Sequence, residues 1–395
     1  MAESYAELRP SSRLLLGPGP SPVDPRVLRA MSTPTLGHLD PEFLQIMNDT
    51  MELLRYVFQT DNQLTVPMPG TGSAGMETAM VNLVEPGDRA IICVNGLFGQ
   101  RMVDVASRCG AEVIQVSAPW GQIIDPEDVK KALAQGGVKL VGIVHAETST
   151  GVHQPLEEIS RIVHDHGAWF AVDAVTSLGG IPVRVNEWGI DICYSGSQKC
   201  LSCPPGLAPV TLGPWAVEVL NKRKNKVQSW YLDLTMIQRY WTQERFYHHT
   251  APVNMIYALR EALRLIDEEG LEARFARHRL TSEALVAGLR AMGMEMAAQE
   301  GHRLVSLNAV RIPEGVDDLA VRKRLLQEFD IEIGGGLGDF KGKVWRIGLM
   351  GHGSRKKNVF AVLTALEVAL AAQGHRFEHG AAVAAAEEVY QSISA

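Results

Sequence analysis

Between about residues 60 and 215, short apolar segments alternate with stretches of helical periodicity, and this alternation narrows the possible folds more than any other feature. Ala90-Ile-Ile-Cys-Val, Glu112-Val-Ile-Gln-Val, Leu140-Val-Gly-Ile-Val, Trp169-Phe-Ala-Val and Leu207-Ala-Pro-Val-Thr read as strands. Residues 100–108, 126–135 and 156–166 between them read as helices. Pro126 and Pro155 stand where helices would begin, since the first turn has no use for the N–H that proline lacks. Strands that are apolar on both faces and separated by helices predict a largely parallel sheet in a three-layer αβα domain. In such sheets ligands bind beyond the carboxyl ends of the strands.

The pattern changes further along. Residues 255–292 are helical with a break at Glu269-Gly270, and shorter strand-like and helical segments alternate up to residue 373. We expect an N-terminal arm (1–15), a large domain (16–269) and a smaller C-terminal α+β domain (270–395). A chain of 395 residues exceeds one ordinary core, which agrees with two domains. The segment after Gly374 is alanine-rich and helix-prone.

No apolar run reaches the ~18–20 residues that cross a bilayer, so no membrane partner is expected. Met1 to Arg9 lacks a signal-peptide pattern and Ser392-Ile-Ser-Ala is no peroxisomal address, so the expected location is cytoplasmic. A net charge of −7 gives no electrostatic reason to expect nucleic acid. The five cysteines are odd in number and lie mostly in apolar segments, as reduced core residues do. Cys200 and Cys203 form a lone C-x-x-C that leaves a redox role open, but zinc would need a second ligand pair and no metal is expected.

Two residues organise the candidate site. Asp173 ends the strand Ala168-Trp-Phe-Ala-Val-Asp, and Lys199 follows the strand Asp191-Ile-Cys-Tyr-Ser in Tyr194-Ser-Gly-Ser-Gln-Lys. A strand-end amine and a strand-end carboxylate suit pyridoxal phosphate: the amine forms an imine with its aldehyde and the carboxylate pairs with its protonated ring nitrogen. Pro69-Gly-Thr-Gly-Ser-Ala-Gly opens a helix whose first-turn N–H groups suit a phosphate, with hydroxyls from Thr71 and Ser73. The same run matches the dinucleotide pattern G-x-G-x-x-G, but two prolines in Leu64-Thr-Val-Pro-Met-Pro argue against the central strand that pattern follows. Phe98 offers a flat face for the ring, Val175 its other side, and Thr148 a hydroxyl for its phenolic oxygen. Arg346 in Trp345-Arg-Ile-Gly suits the carboxylate of an amino or keto acid.

With these motifs in view, the chain resembles the alanine–glyoxylate/serine–pyruvate aminotransferases, class V members of the fold-type I pyridoxal-phosphate enzymes. The likeness runs from Leu14-Leu-Leu-Gly-Pro-Gly-Pro to Arg346-Ile-Gly through Ser149-Thr-Gly-Val-His-Gln-Pro, Val172-Asp-Ala-Val, Ser195-Gly-Ser-Gln-Lys, Tyr247-His-His-Thr and Gly334-Gly-Gly-Leu-Gly. It implies Lys199 as the imine lysine, Asp173 on the ring nitrogen, and Thr71, Gly72, Ser73 and Gln198 around the phosphate. It also implies a homodimer in which Tyr247 and Thr250 reach the neighbour's phosphate. Arg346 would anchor the substrate, with backbone near Gly17 lining a small pocket for alanine or serine and for glyoxylate or pyruvate. Phe98 departs from the tryptophan frequent in the animal enzymes, and Ser73 from a histidine. The chain is also similar to the ureidoglycine–glyoxylate aminotransferases at Met31-Ser-Thr-Pro and Glu187-Trp. Those place Gln and Asn where this chain has His38 and Tyr247, which speaks against a ureido substrate. Pyridoxamine–pyruvate aminotransferases carry glutamate at the position of Thr71, and cysteine desulfurases need a late cysteine, whereas none follows Cys203.

Overall fold

A computed structural model of the protein describes residues 5–242 and 244–392. Of the two chain ends weighed above as address signals, residues 1–4 and 393–395 lie outside the described residues. After the short strand β1 (Leu14–Leu15) come two helices, α1 (Pro25–Met31) and α2 (Pro41–Phe58). Each starts with an aspartate cap and a proline: Asp24 accepts from Arg26 N–H and Asp40 from Glu42 N–H.

The alternating region follows: β2 (Leu64–Pro69), α3 (Gly72–Leu83), β3 (Arg89–Val94), α4 (Leu97–Arg108), β4 (Glu112–Ser117), α5 (Pro126–Leu133) and β5 (Val138–Val144). A small antiparallel pair, β6 (Ala146–Glu147) and β7 (Val152–His153), leads to α6 (Glu157–Asp165), β8 (Trp169–Asp173), β9 (Ile192–Tyr194) and β10 (Leu207–Leu212). Seven of these strands form one sheet in the order β2-β10-β9-β8-β5-β3-β4, with only β10 running against its neighbours. The mainly parallel three-layer reading holds. Pro67 and Pro69 sit in β2, which is an edge strand, where a missing N–H is tolerated. β2 and β3 are far apart in that order, so the glycine motif between them does not lie in a βαβ unit of adjacent strands.

Next come α7 (Pro214–Asn221), α8 (Leu234–Trp241), α9 (Val253–Glu269) and α10 (Leu271–Ala291). The expected break at Gly270 separates the last two, with φ of 80° there. A second sheet, β11-β14-β13, uses β11 (Leu307–Arg311), β13 (Gly334–Gly335) and β14 (Val344–Gly348). Helices α11 (Asp318–Glu328), α12 (Lys356–Ala371) and α13 (Ala381–Gln391) complete this part, and β12 (Ile331–Glu332) pairs in parallel with β1. The alanine-rich tail is α13, whose Ala382 and Ala386 are buried.

Buried apolar residues fall into two main clusters. The larger runs from Val27 to Phe275, and the other joins Leu285, Leu289, Trp345, Ile347, Leu363 and Leu366. Leu14 and Leu16 pack into the second cluster, so the N-terminal arm is tied to the C-terminal part of the chain. That contact depends on the β1–β12 pairing, a long-range register that sequence periodicity does not carry.

Candidate active site

The carboxyl ends of β3, β5, β8 and β9, together with the end of edge strand β2, open on one cavity. Thr71, Gly72, Ser73, Phe98, Thr148, Asp173, Val175, Gln198 and Lys199 line it, with Met76, Arg101, Val144, Ala146 and Thr176. The structure therefore brings together every cavity residue the sequence put forward at those strand ends.

At the head of α3 the cap residue Thr71 makes no side-chain hydrogen bond to the helix. Ala74 N–H bonds the Thr71 carbonyl at 2.7 Å, so the N–H groups of Gly72 and Ser73 before it are the ones a ligand can use. Glycine is required here on two grounds. Gly70 has φ of 126°, and a Cβ on Gly72 would come within 2.9 Å of Val175 Cγ2. Opposite, the Gln198 Oε1 atom is buried without a hydrogen-bond partner. The N–H groups at the helix head and the hydroxyls of Thr71 and Ser73 make a cup suited to a phosphate, toward which Gln198 can offer only its Nε2 donor and not this oxygen.

Asp173 is buried, with its Oδ1 accepting from Val175 N–H at 2.8 Å and its Oδ2 from Tyr194 Oη at 3.0 Å. Burial pushes its carboxyl up to about 7, against the pull of those two donors. The Lys199 amine is lowered to about 8, first by burial and then by the charge of Arg346. Its Nζ donates to the Pro18 carbonyl, and Ser21 Oγ and Ser202 N–H hold its own carbonyl. A cationic ring nitrogen beside Asp173 would restore that carboxylate's charge, so the pair fits pyridoxal phosphate.

Phe98 is half-buried with the Arg101 guanidinium 5.0 Å from its ring centre, and Arg101 reaches Ser73 Oγ at 3.5 Å. Phe98 is fixed from below by Glu147, a fully buried carboxylate. Glu147 Oε2 accepts from Phe98 N–H at 3.1 Å and Gly99 N–H at 3.3 Å, while Oε1 accepts from Ser149 Oγ at 2.6 Å and Ser149 N–H at 3.1 Å. These bonds explain why α4 begins at Leu97, earlier than its apolar periodicity predicts: a carboxylate from another element caps it. The Thr148 hydroxyl lies 2.5 Å from that of Thr176.

Arg346, on β14, is buried; its Nε donates to Gly335 O at 2.8 Å and its Nη1 reaches Thr148 O at 3.4 Å. Burial lowers it to about 10, and no carboxylate among the described residues forms an ion pair with it. Gly17 packs on Gly334, and a Cβ on Gly19 would come within 2.8 Å of Lys199 Cδ, so this loop covers the lysine. His38, Tyr247 and Thr250 are elsewhere. The His38 and Tyr247 rings are 5.0 Å apart, Tyr247 Oη is 3.4 Å from Thr250 Oγ1, and none of the three lines this cavity.

Tyr194, Glu147, Thr176 and Arg101 were not singled out from sequence. Tyr194 meets Asp173 because the two are register partners across β8 and β9, a relation no local motif encodes. All five cysteines are free and buried, Cys200 and Cys203 included. Among the described residues no group of three or more acidic, histidine or cysteine side chains is placed to hold a metal.

Comparison with known proteins supports the same chemistry. The family described as aminotransferase class-V matches residues 14–339. An (S)-ureidoglycine–glyoxylate transaminase of Bacillus subtilis is 42% identical, over 98% of this chain and 97% of its own. The crystal structure of that bacterium's ureidoglycine–glyoxylate aminotransferase superposes with a TM-score of 0.96 at 44% identity, covering 98% of this chain and all (100%) of the other. An alanine–glyoxylate aminotransferase structure from Nostoc sp. gives a TM-score of 0.92 at 49% identity, over 93% of this chain and 97% of the other. The alanine–glyoxylate aminotransferase of Mus musculus is 42% identical over 91% of this chain and 88% of its own.

Proposed function

Because this chain belongs to the class-V aminotransferases, which work with pyridoxal phosphate, we propose that it moves the amino group of L-alanine or L-serine to glyoxylate or pyruvate. Bound in the cavity, the cofactor supplies an electron sink for the pair left on the substrate's α-carbon. Thr71, Gly72, Ser73 and Gln198 hold its phosphate, Phe98 and Val175 flank its ring, and Thr148 meets its phenolic oxygen. Asp173 keeps the ring nitrogen protonated. The Lys199 amine, lowered to about 8, is neutral in a usable fraction near neutral pH and would take the proton from the α-carbon and pass it to the cofactor carbon on the other side of the substrate nitrogen.

The observation that carries the substrate reading is Arg346. It is a buried cation that forms no ion pair among the described residues, though the charge of Glu147 favours it. Two backbone carbonyls hold it, one of them that of Thr148, close to the loop that covers Lys199. A guanidinium so placed favours a carboxylate on a short substrate. Alanine and glyoxylate incubated with the reconstituted enzyme are expected to yield pyruvate and glycine in equal amounts.

A second reading is a ureidoglycine–glyoxylate transaminase, favoured by the 98% coverage of the B. subtilis relative. His38 and Tyr247, rings at 5.0 Å, replace the amides expected for a ureido group, which supports the first reading. Single-turnover bleaching of the cofactor's visible band with alanine, serine and ureidoglycine in turn separates them. Fastest reaction with ureidoglycine overturns the alanine–serine assignment.

The reading includes a homodimer, with Tyr247 and Thr250 completing the neighbour's phosphate cup, as they lie on the surface away from their own cavity. It also includes the cytoplasm, where five free buried cysteines stay reduced. No helix among the described residues is long and apolar enough to cross a membrane.

A further inference from the structure

Tyr194 closes β9 with its side chain fully buried, and transamination as outlined gives it no task. Packing alone would be served by phenylalanine. Its hydroxyl instead donates to Asp173 Oδ2 at 3.0 Å, directly across the register pair Asp173–Tyr194. Val175 N–H occupies the other oxygen, at 2.8 Å. We propose that Tyr194 is a positioning residue for the reaction, its hydroxyl holding Asp173 ionised and turned so that the remaining lone pair of Oδ2 meets the cofactor's ring nitrogen. This rests on the aminotransferase reading above.

The surroundings show why a second donor is needed. Asp173 faces Glu147 from β6, whose charge disfavours its own, and Lys199, whose charge favours it. Cys193 and Tyr194 on β9 are both held neutral by burial, so Tyr194 stays a donor at any working pH. His145, whose backbone N–H donates to the Asp173 carbonyl at 3.0 Å, is likewise held uncharged by burial. Burial pushes Asp173 toward protonation, and its hydrogen-bond donors oppose that push. A proton shared between this carboxylate and a ring nitrogen rests on whichever holds it more tightly. Each donor to Oδ2 weakens the carboxylate's hold and leaves the proton on nitrogen.

The test uses full-length protein reconstituted with pyridoxal phosphate that carries heavy-isotope nitrogen in its ring. In the wild type the nitrogen resonance is that of a protonated ring, and it moves only at high pH. In Tyr194→Phe the carboxylate holds the shared proton more tightly, so the nitrogen resonance near neutral pH moves toward that of an unprotonated ring. The pair gives up its proton about one pH unit or more higher, since a hydrogen bond to a charged group is worth that much. The same variant loses cofactor affinity by ~10-fold and kcat by ~10- to 100-fold, with KM little changed. Added to Asp173→Asn it costs nothing more, because Tyr194 acts through that carboxylate. A folded Tyr194→Phe with the nitrogen resonance and its titration both unmoved overturns the proposal. If that variant does not fold, a difluorinated tyrosine placed at 194 keeps the shape and donates more strongly. It lowers the pH at which the pair gives up its proton, and no movement there also overturns the proposal. A wild type that binds no cofactor would instead remove the aminotransferase reading itself.

Discussion

Asp173 is buried out of reach of water yet, to hold a ring nitrogen, must carry a charge. Without cofactor the unfolded chain ionises it near 3.8, while the folded chain holds its proton up to about 7. A carboxyl raised on folding adds stability that is complete below the unfolded value and is lost as pH rises through the folded one. Cofactor-free protein should therefore melt at a lower temperature at about pH 8 than at about pH 6.5, by about one degree. Asp173→Asn should flatten this slope. His145 and His153 do not mimic it, since burial lowers both and their contribution is complete above about 6.5 and fades only in acid. His164, raised by its hydrogen bond to Asp191, slopes the same way, so only the part of the slope that Asp173→Asn removes belongs to Asp173. Lys199, lowered to about 8, is charged in both states over most of that window. Calorimetry of the wild type and Asp173→Asn, both stripped of cofactor, reads the difference, and parallel pH profiles would refute the raised carboxyl.

Helix α4 shows how one element can serve both stability and site. Its cap residue is Gly96, with extended φ of 177° and no side chain to offer, so Glu147 and Ser149 from another strand end take the first-turn N–H groups. Glu147→Ala strands those donors in a dry interior and should cost about 2–4 kcal/mol in urea unfolding. Cofactor affinity should fall in the same variant, because Phe98 rides on the first turn of α4. An unchanged urea midpoint would mean that the cap is dispensable. The same element marks the limit of sequence reading. Phe98, Thr148 and Asp173 were legible because each follows a β-strand pattern at the same edge of a parallel sheet. Glu147 was not, since its role depends on the pairing of β6 with β7 and on the close approach of Gly96, where a Cβ would lie 2.4 Å from Glu147 Cγ. Prolines legible as helix starts, such as Pro126, succeed because the signal is local; Leu16 in the C-terminal core is a matter of long-range pairing.

At the scale of the molecule, the described chain leaves a set of aromatic side chains in water. Trp230 is 58% exposed, Phe246 54%, Tyr247 50% and Tyr231 43%. Trp230 stacks on His248 at 4.3 Å and Tyr231 lies tilted against His249 at 5.1 Å, while Tyr247 meets His38 and Phe246 lies under Arg239. Apolar surface of this kind is covered in an assembly, and a two-fold dimer would present the same patch from both sides. If Tyr247 and Thr250 serve the partner's phosphate, each site draws its lysine from one chain and these two hydroxyls from the other. The double variant Tyr247→Phe/Thr250→Ala and the variant Lys199→Ala should each be nearly inactive alone. Co-expressed in equal amounts and paired at random, about half of the dimers are mixed, and each mixed dimer holds one intact site. Activity should return to about a quarter of the wild-type value. Were the two hydroxyls to act within their own chain, every site in a mixed dimer would carry a lesion and nothing would return. Sedimentation of the mixture shows whether mixed dimers formed, so absence of recovery with mixed dimers present decides against sharing.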